Sequence, residues 1–136
     1  MASQERALYT TTATSLHGPD RVEFSDAEGR SLPVVAPPAA GGYDGEVWAP
    51  EQFYAAAIAT CLHQAIAMVA SEIGADLAES RVAAEVQLEH SGALRYSLRT
   101  RVVVELPATD TQTRKTLLRE ALRAFPLADQ IELSES

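Results

Sequence analysis

"WAPEQFYAAAIATCLHQAIAMVA" occupies residues 48–70, and its reading decides the fold. Pro50 suits the first position of a helix, where its missing N–H would have had no partner. Glu51 in the first turn suits the positive end of the helix dipole. Ala49 has no side-chain oxygen for the capping position, a loss of about 1 kcal/mol against Asn or Ser. Gly74 marks the expected end of the helix. The uncharged run 53–71 reaches transmembrane length. It carries Thr60, His63, Gln64, Ser71 and many alanines, so it reads as the buried helix of a soluble domain. Midway along it lies Cys61, the only cysteine of the chain. A lone thiol there is either inert core filling, the usual state of a buried cysteine, or the reactive atom of the protein.

On the N-terminal side, "ALYTTTAT" (7–14) is rich in β-branched residues and reads as a strand. "HGPD" (17–20) reads as a turn, and "RVEFSDAEGRSLPVVA" (21–36) as a hairpin turning at 27–30. "PPAAGGYDG" (37–45) is a loop. On the C-terminal side, "RVAAEVQLEH" (81–90) and "LRYSLRTRVVVEL" (94–106) read as two strands joined by "SGA". In the second, Leu94, Tyr96 and Leu98 alternate with Arg95, Ser97 and Arg99, which gives one wet face. "TDTQTRKTLLREALRAF" (109–125) is an amphipathic helix. Thr109 or Asp110 caps it, Leu117, Leu118, Ala121, Leu122 and Phe125 form its buried stripe, and Pro126 stops it. "ADQIELSES" supplies one short last strand. The order β-β-β-α-β-β-α-β predicts an α+β fold with helices segregated from antiparallel sheets.

The 136 residues fit one domain spanning 1–136, and 46% hydrophobic content supports a core. The opening "MASQERALYT" lacks a basic stretch followed by an apolar one, so no signal peptide is expected and the cytoplasm is the expected location. One cysteine makes no internal disulfide, in keeping with a reducing compartment. A net charge of −8 disfavours nucleic acid and anionic membranes as partners. His17, His63 and His90 show no ligand spacing, so neither a metal nor another cofactor is expected.

The run Pro50, Glu51, Gln52, Phe53 and then 55–61 ending in Cys61 resembles the central helix of the OsmC/Ohr family, the organic hydroperoxide reductases. "LYTTTAT" (8–14) is similar to the family's first strand, and Gly41 and Gly42 fall in its glycine-rich loop. Element order and length agree across almost the whole chain. The resemblance implies an intertwined homodimer with active sites at the subunit interface. It implies a peroxidatic thiol at Cys61, assisted by Glu51 and by an arginine in the region of the first turn. Arg21 is the candidate for that arginine, two residues beyond Pro19. An organic hydroperoxide would be reduced to its alcohol and the thiol oxidised to sulfenic acid.

That chemistry needs these residue types. A free thiol has a pKa near 8.5 and requires a neighbouring cation to be thiolate at neutral pH, and arginine, always charged, can clamp a carboxylate with two hydrogen bonds. Ten residues of straight helix span about 15 Å. Glu51 and Cys61 can therefore cooperate only through a bent or frayed helix start or across two subunits. His63 lies about 200° around the helix from Cys61 and is a poor partner; Gln64, three residues on, is nearer.

The sequence departs from the family pattern at instructive places. The family's second cysteine aligns with Phe125 in "RAFPLAD", so no internal disulfide can resolve the oxidised thiol. Ala49 stands where an asparagine is expected, and the glycine-rich stretch carries Tyr43 and Trp48. Three function classes follow: a one-cysteine hydroperoxide reductase recycled by an external thiol, a binding protein for a small apolar ligand at the dimer interface, or an inactive relative.

Overall fold

The computed structural model describes residues 7–16, 21–25, 31–34, 47–93 and 95–135. The expected turns at 17–20 and 27–30, the loop at 37–45 with Gly41, Gly42 and Tyr43, and Leu94 lie outside them. The chain forms two compact units, Met1–Pro50 and Glu51–Ser136.

In the first unit, β1 (Ala13–Leu16), β2 (Arg21–Phe24) and β3 (Ser31–Pro33) make an antiparallel sheet in that order. The first strand begins at Ala13 rather than at residue 7. Pairing runs from Leu16↔Arg21 to Ala13↔Phe24 and stops where β2 stops. Thr12 still bonds to Ser25, whose backbone N–H donates to the Thr12 carbonyl at 2.8 Å. Residues 7–12 have the β-branched composition of a strand, but the assigned strand covers only Ala13–Leu16. Trp48 closes the unit by donating its backbone N–H to the Pro33 carbonyl at 3.0 Å.

Apart from Pro50 at the boundary, the second unit holds α1 (Pro50–Ile73), β4 (Arg81–His90), β5 (Tyr96–Glu105), α2 (Thr111–Ala124), a 3-10 turn (Ala128–Gln130) and β6 (Glu132–Glu135). The α1 helix starts at Pro50 as the sequence indicates, and Gly74 follows it at φ +72°. Glycine adopts that left-handed conformation without Cβ strain. The turn lets the Ala75 N–H reach back to the Ala70 carbonyl at 2.9 Å, satisfying an orphan group of the last turn. Ile58, Leu62, Ala65, Ile66 and Ala70 bury one face of α1. They join Val102, Val104 and Leu106 from and just after β5, and Leu117, Leu118, Ala121 and Phe125 from and just after α2, in one cluster. The helix with transmembrane length is the core helix of this unit.

The strands β4 and β5 pair antiparallel over their full length, from Arg81↔Glu105 to His90↔Tyr96. The chain then crosses over through α2 and adds β6 parallel to β5, pairing Arg101↔Glu132 through Val104↔Glu135. The sheet is therefore mixed rather than purely antiparallel. A helical crossover returns the chain to the end of the sheet where β5 began, and a strand entered from there runs parallel. Asp110 is the cap of α2, accepting from the Thr113 N–H at 2.7 Å. Along β5, Thr100, Val102 and Val104 are buried while the alternate positions are wet. Tyr96 and Leu98 belong to the inner face by register, yet they are 60% and 46% exposed. Arg99 and Arg101 share Glu132 on the wet face at 3.2 and 3.6 Å, a solvated arrangement that contributes little to stability.

Candidate functional site

Cys61 sits near the middle of α1, half-buried, on the margin of the apolar face. It packs against the core cluster that includes Phe125. The helical repeat places Ala57, Gln64, Ala65, Met68 and Glu72 along the same stripe. Ala57, Gln64, Met68 and Glu72 are exposed, whereas Ala65 is buried, so the thiol borders both core and open surface.

Glu51 is in the first turn of the same helix, and its Oε1 is buried with no hydrogen-bond partner among the described residues. Buried acceptors are nearly always paired, and a carboxylate oxygen left without a donor costs about 1–3 kcal/mol or more. The helix is unbroken from Pro50 to Ile73. Glu51 and Cys61 are therefore held about 15 Å apart along the axis within one chain, and α1 does not bring the two together.

Arg21 belongs to the other unit, on β2, and is half-buried. Its Nε donates to the Ser31 Oγ at 2.8 Å and its Nη2 to the Ser31 carbonyl at 3.3 Å. Ser31 on β3 thus fixes the guanidinium across the sheet, using two of its five N–H donors. A fixed, permanently charged fork of this kind can bind a carboxylate or stabilise an anion.

His63 does not face the thiol. Its Nε2 lies 2.8 Å from the Ser80 Oγ, which ties α1 to the residue before β4. Phe125 is 3% exposed and ends α2, where the chain turns extended before Pro126. Its burial matches the stripe read from the sequence; nothing in the residue pattern pointed to the Glu51 oxygen that has no partner among the described residues. A first-turn acid is common and signals nothing, and only burial makes its missing partner visible.

The chain is similar to several solved structures over nearly its whole length. An organic hydroperoxide resistance protein from Legionella pneumophila is 26% identical with a TM-score of 0.79, covering 96% of this chain and 98% of that one. A Vibrio cholerae structure described as an organic hydroperoxide resistance protein is 25% identical with a TM-score of 0.79, covering 98% and 94%. It carries a molecule of captopril in one of its active sites. In sequence, the organic hydroperoxide resistance protein of Xanthomonas axonopodis pv. citri is 25% identical over 134 residues, 95% of this chain and 91% of the relative. Two sheets, a long core helix and a thiol midway along it define the class, an α+β protein built like the organic hydroperoxide resistance proteins. The model of the OsmC-like protein family matches residues 43–133, and the chain belongs to that family.

Proposed function

We propose that this chain is a one-cysteine organic hydroperoxide reductase, acting as a homodimer in the cytoplasm with an external thiol as reductant. The observation that carries the reading is the buried Oε1 of Glu51, without a partner among the described residues, on the helix that bears the sole thiol of an OsmC-like fold. A carboxylate in that state calls for a cation, and Arg21 is the residue assigned to supply it. The roles of Cys61, Glu51 and Arg21 rest on this reading together with the family resemblance.

The Cys61 thiolate attacks the distal oxygen of the hydroperoxide. The O–O bond breaks, the alkoxide leaves and takes up a proton, and Cys61 becomes a sulfenic acid. Phe125 occupies the position from which a second sulfur would approach. A thiol from solution therefore condenses with the sulfenic acid, releasing water, and a second thiol releases the mixed disulfide. Arg21 stabilises the thiolate, and Glu51 orients the guanidinium.

Dimerisation is supported by apolar surface that one chain leaves open. The small-residue stripe Ala56, Thr60 and Ala67 on α1 is exposed, as are Leu88, Leu98 and Tyr96 at one end of the inner sheet face. An obligate interface of this kind buries more than about 2,000 Å². A stable folded monomer in sedimentation at low micromolar concentration would contradict it.

The absence of a second cysteine favours one competing reading, a binding protein that holds a small apolar ligand without turnover. Dimedone trapping after brief exposure to cumene hydroperoxide separates the two. Rapid labelling of Cys61 supports the reductase. An unreactive Cys61 in the folded protein overturns it.

A further inference from the structure

The α2 helix concentrates positive charge on a chain that is otherwise strongly acidic. It carries Arg114, Lys115, Arg119 and Arg123, four of the eleven basic residues, and Glu120 alone of the nineteen acids. Four bases less one acid make the helix +3, and the net −8 of the chain leaves −11 for the rest. Leu117, Leu118 and Ala121 turn inward to the core. At about 100° per residue, Arg119 and Arg123 then point to the opposite side, with Lys115 on their flank. All three are exposed, the side chains of Arg119 and Arg123 by 62% and 75%. Arg114 differs, being half-buried and paired with Glu135 at 3.4 Å, which ties α2 to β6. The outer face of α2 holds none of the residues assigned to the dimer.

Pairing within the helix does not use up these charges. The Glu120 Oε1 meets the Arg119 Nε at 3.4 Å and the Arg123 Nη1 at 3.6 Å, so one oxygen serves two guanidiniums through one nitrogen each. Exposed pairs of this kind are weak, and each guanidinium keeps further N–H donors. Lys115 has no ion pair among the described residues.

Spacing defines what such a stripe fits. Lys115, Arg119 and Arg123 stand at i, i+4 and i+8, about 6 Å apart along the axis. Duplex DNA carries one charge per about 1.7 Å of axis, so most of its phosphates would meet the surrounding acidic surface. An anionic bilayer presents a continuous sheet of charge and meets the same repulsion. A protein helix with carboxylates at every fourth position repeats at the matching interval of about 6 Å, and a guanidinium fork is shaped for a carboxylate. We infer that the outer face of α2 is a docking surface for a partner protein, engaged through an acidic helix with carboxylates at i, i+4 and i+8. The rest of the chain repels such a partner, and the stripe attracts it, so α2 sets the orientation of encounter as well as the contact. The inference stands apart from the thiol chemistry.

Fluorescence anisotropy tests it, with a labelled alanine–glutamine helical peptide carrying three glutamates at i, i+4 and i+8 as the probe. Replacing the three cations together (Lys115→Gln, Arg119→Gln and Arg123→Gln) should weaken binding about tenfold, the loss from three exposed ion pairs. The triple variant Arg81→Gln, Arg95→Gln and Arg99→Gln changes the net charge equally. At 0.1 M salt, where charges beyond about 10 Å are screened, it should leave the affinity within about twofold. Equal weakening by the two triple variants overturns the inference, and so does equal affinity for a peptide with contiguous glutamates, because net charge alone would then decide. Tighter α2-dependent binding of single-stranded DNA or of phosphatidylserine vesicles overturns it as well. Sedimentation of the α2 triple variant should match that of the parent; a loss of assembly would give this face to a second copy and sink the docking reading. Dimedone labelling of Cys61 separates the two proposals. Docking with an inert Cys61 leaves this inference standing without the reductase, and a reactive Cys61 without docking does the reverse.

Discussion

Glu51→Gln probes the carboxylate whose Oε1 is buried, with little change of shape. Oε1 is buried and has no hydrogen-bond partner among the described residues. If nothing else meets it in the working protein, the substitution removes an uncompensated charge, and stability should rise by part of the 1–3 kcal/mol that such a group costs, roughly 1 kcal/mol. The proposed arginine reverses the sign. A hydrogen bond to a charged group contributes about 1.5–3 kcal/mol, and a guanidinium fork needs two carboxylate oxygens as acceptors, which an amide does not offer. We therefore expect Glu51→Gln to destabilise the assembled protein by about 2 kcal/mol, with a Tm lower by roughly 6–10 °C for a chain of this size. Urea unfolding of both proteins, at two protein concentrations to hold assembly in view, measures the difference. A variant as stable as the parent, or more so, would refute the reasoning: Glu51 would then have no cation, and Arg21 would lose its assigned role.

Three further outcomes follow from particular contacts. Leu62 is 0% exposed in the α1 core, so Leu62→Ala should lose about 2–5 kcal/mol in denaturant unfolding; a loss below roughly 1 kcal/mol would contradict the packing of α1. The carboxyl of Asp110 is held below its ordinary value of 3.8, chiefly by the backbone N–H of Thr113 and with help from Arg114. Its folded-state pKa is depressed, so its contribution is complete above 3.8 and is lost as pH falls through the lower folded value. Asp110→Asn should remove that part of the acid dependence of stability, and acid titrations that superimpose for the two proteins would count against the cap. Phe125→Cys should lose about 3 kcal/mol of core packing and, after hydroperoxide treatment, form a disulfide with Cys61 if the Cα atoms lie within about 7 Å. A variant that still accumulates sulfenic acid without losing two hydrogens in mass would show that Phe125 does not occupy the place of a resolving cysteine.

Much of this chain was legible before any coordinates. Pro50 and Gly74 bracket α1 because a missing N–H and a tolerance for positive φ are properties of single residues. The β4 strand runs over Arg81–His90 as its alternation predicts, and Asp110 caps α2 because a short side-chain oxygen can reach the Thr113 N–H. The sole thiol at Cys61 was also plain, since counting residues needs no structure. Pairing was different. The first strand pairs over Ala13–Leu16 with residues that another segment brings to it, and β6 turned out parallel to β5 because the crossover through α2 fixes its direction. Tyr96 and Leu98 keep the inner register read from the sequence, yet remain open to solvent. The buried Oε1 of Glu51, without a partner among the described residues, belongs to the same class of fact. A residue's type and spacing set its conformation and chemistry, which are local. Burial and partnership are set by what other segments bring to it, and only tertiary structure decides that.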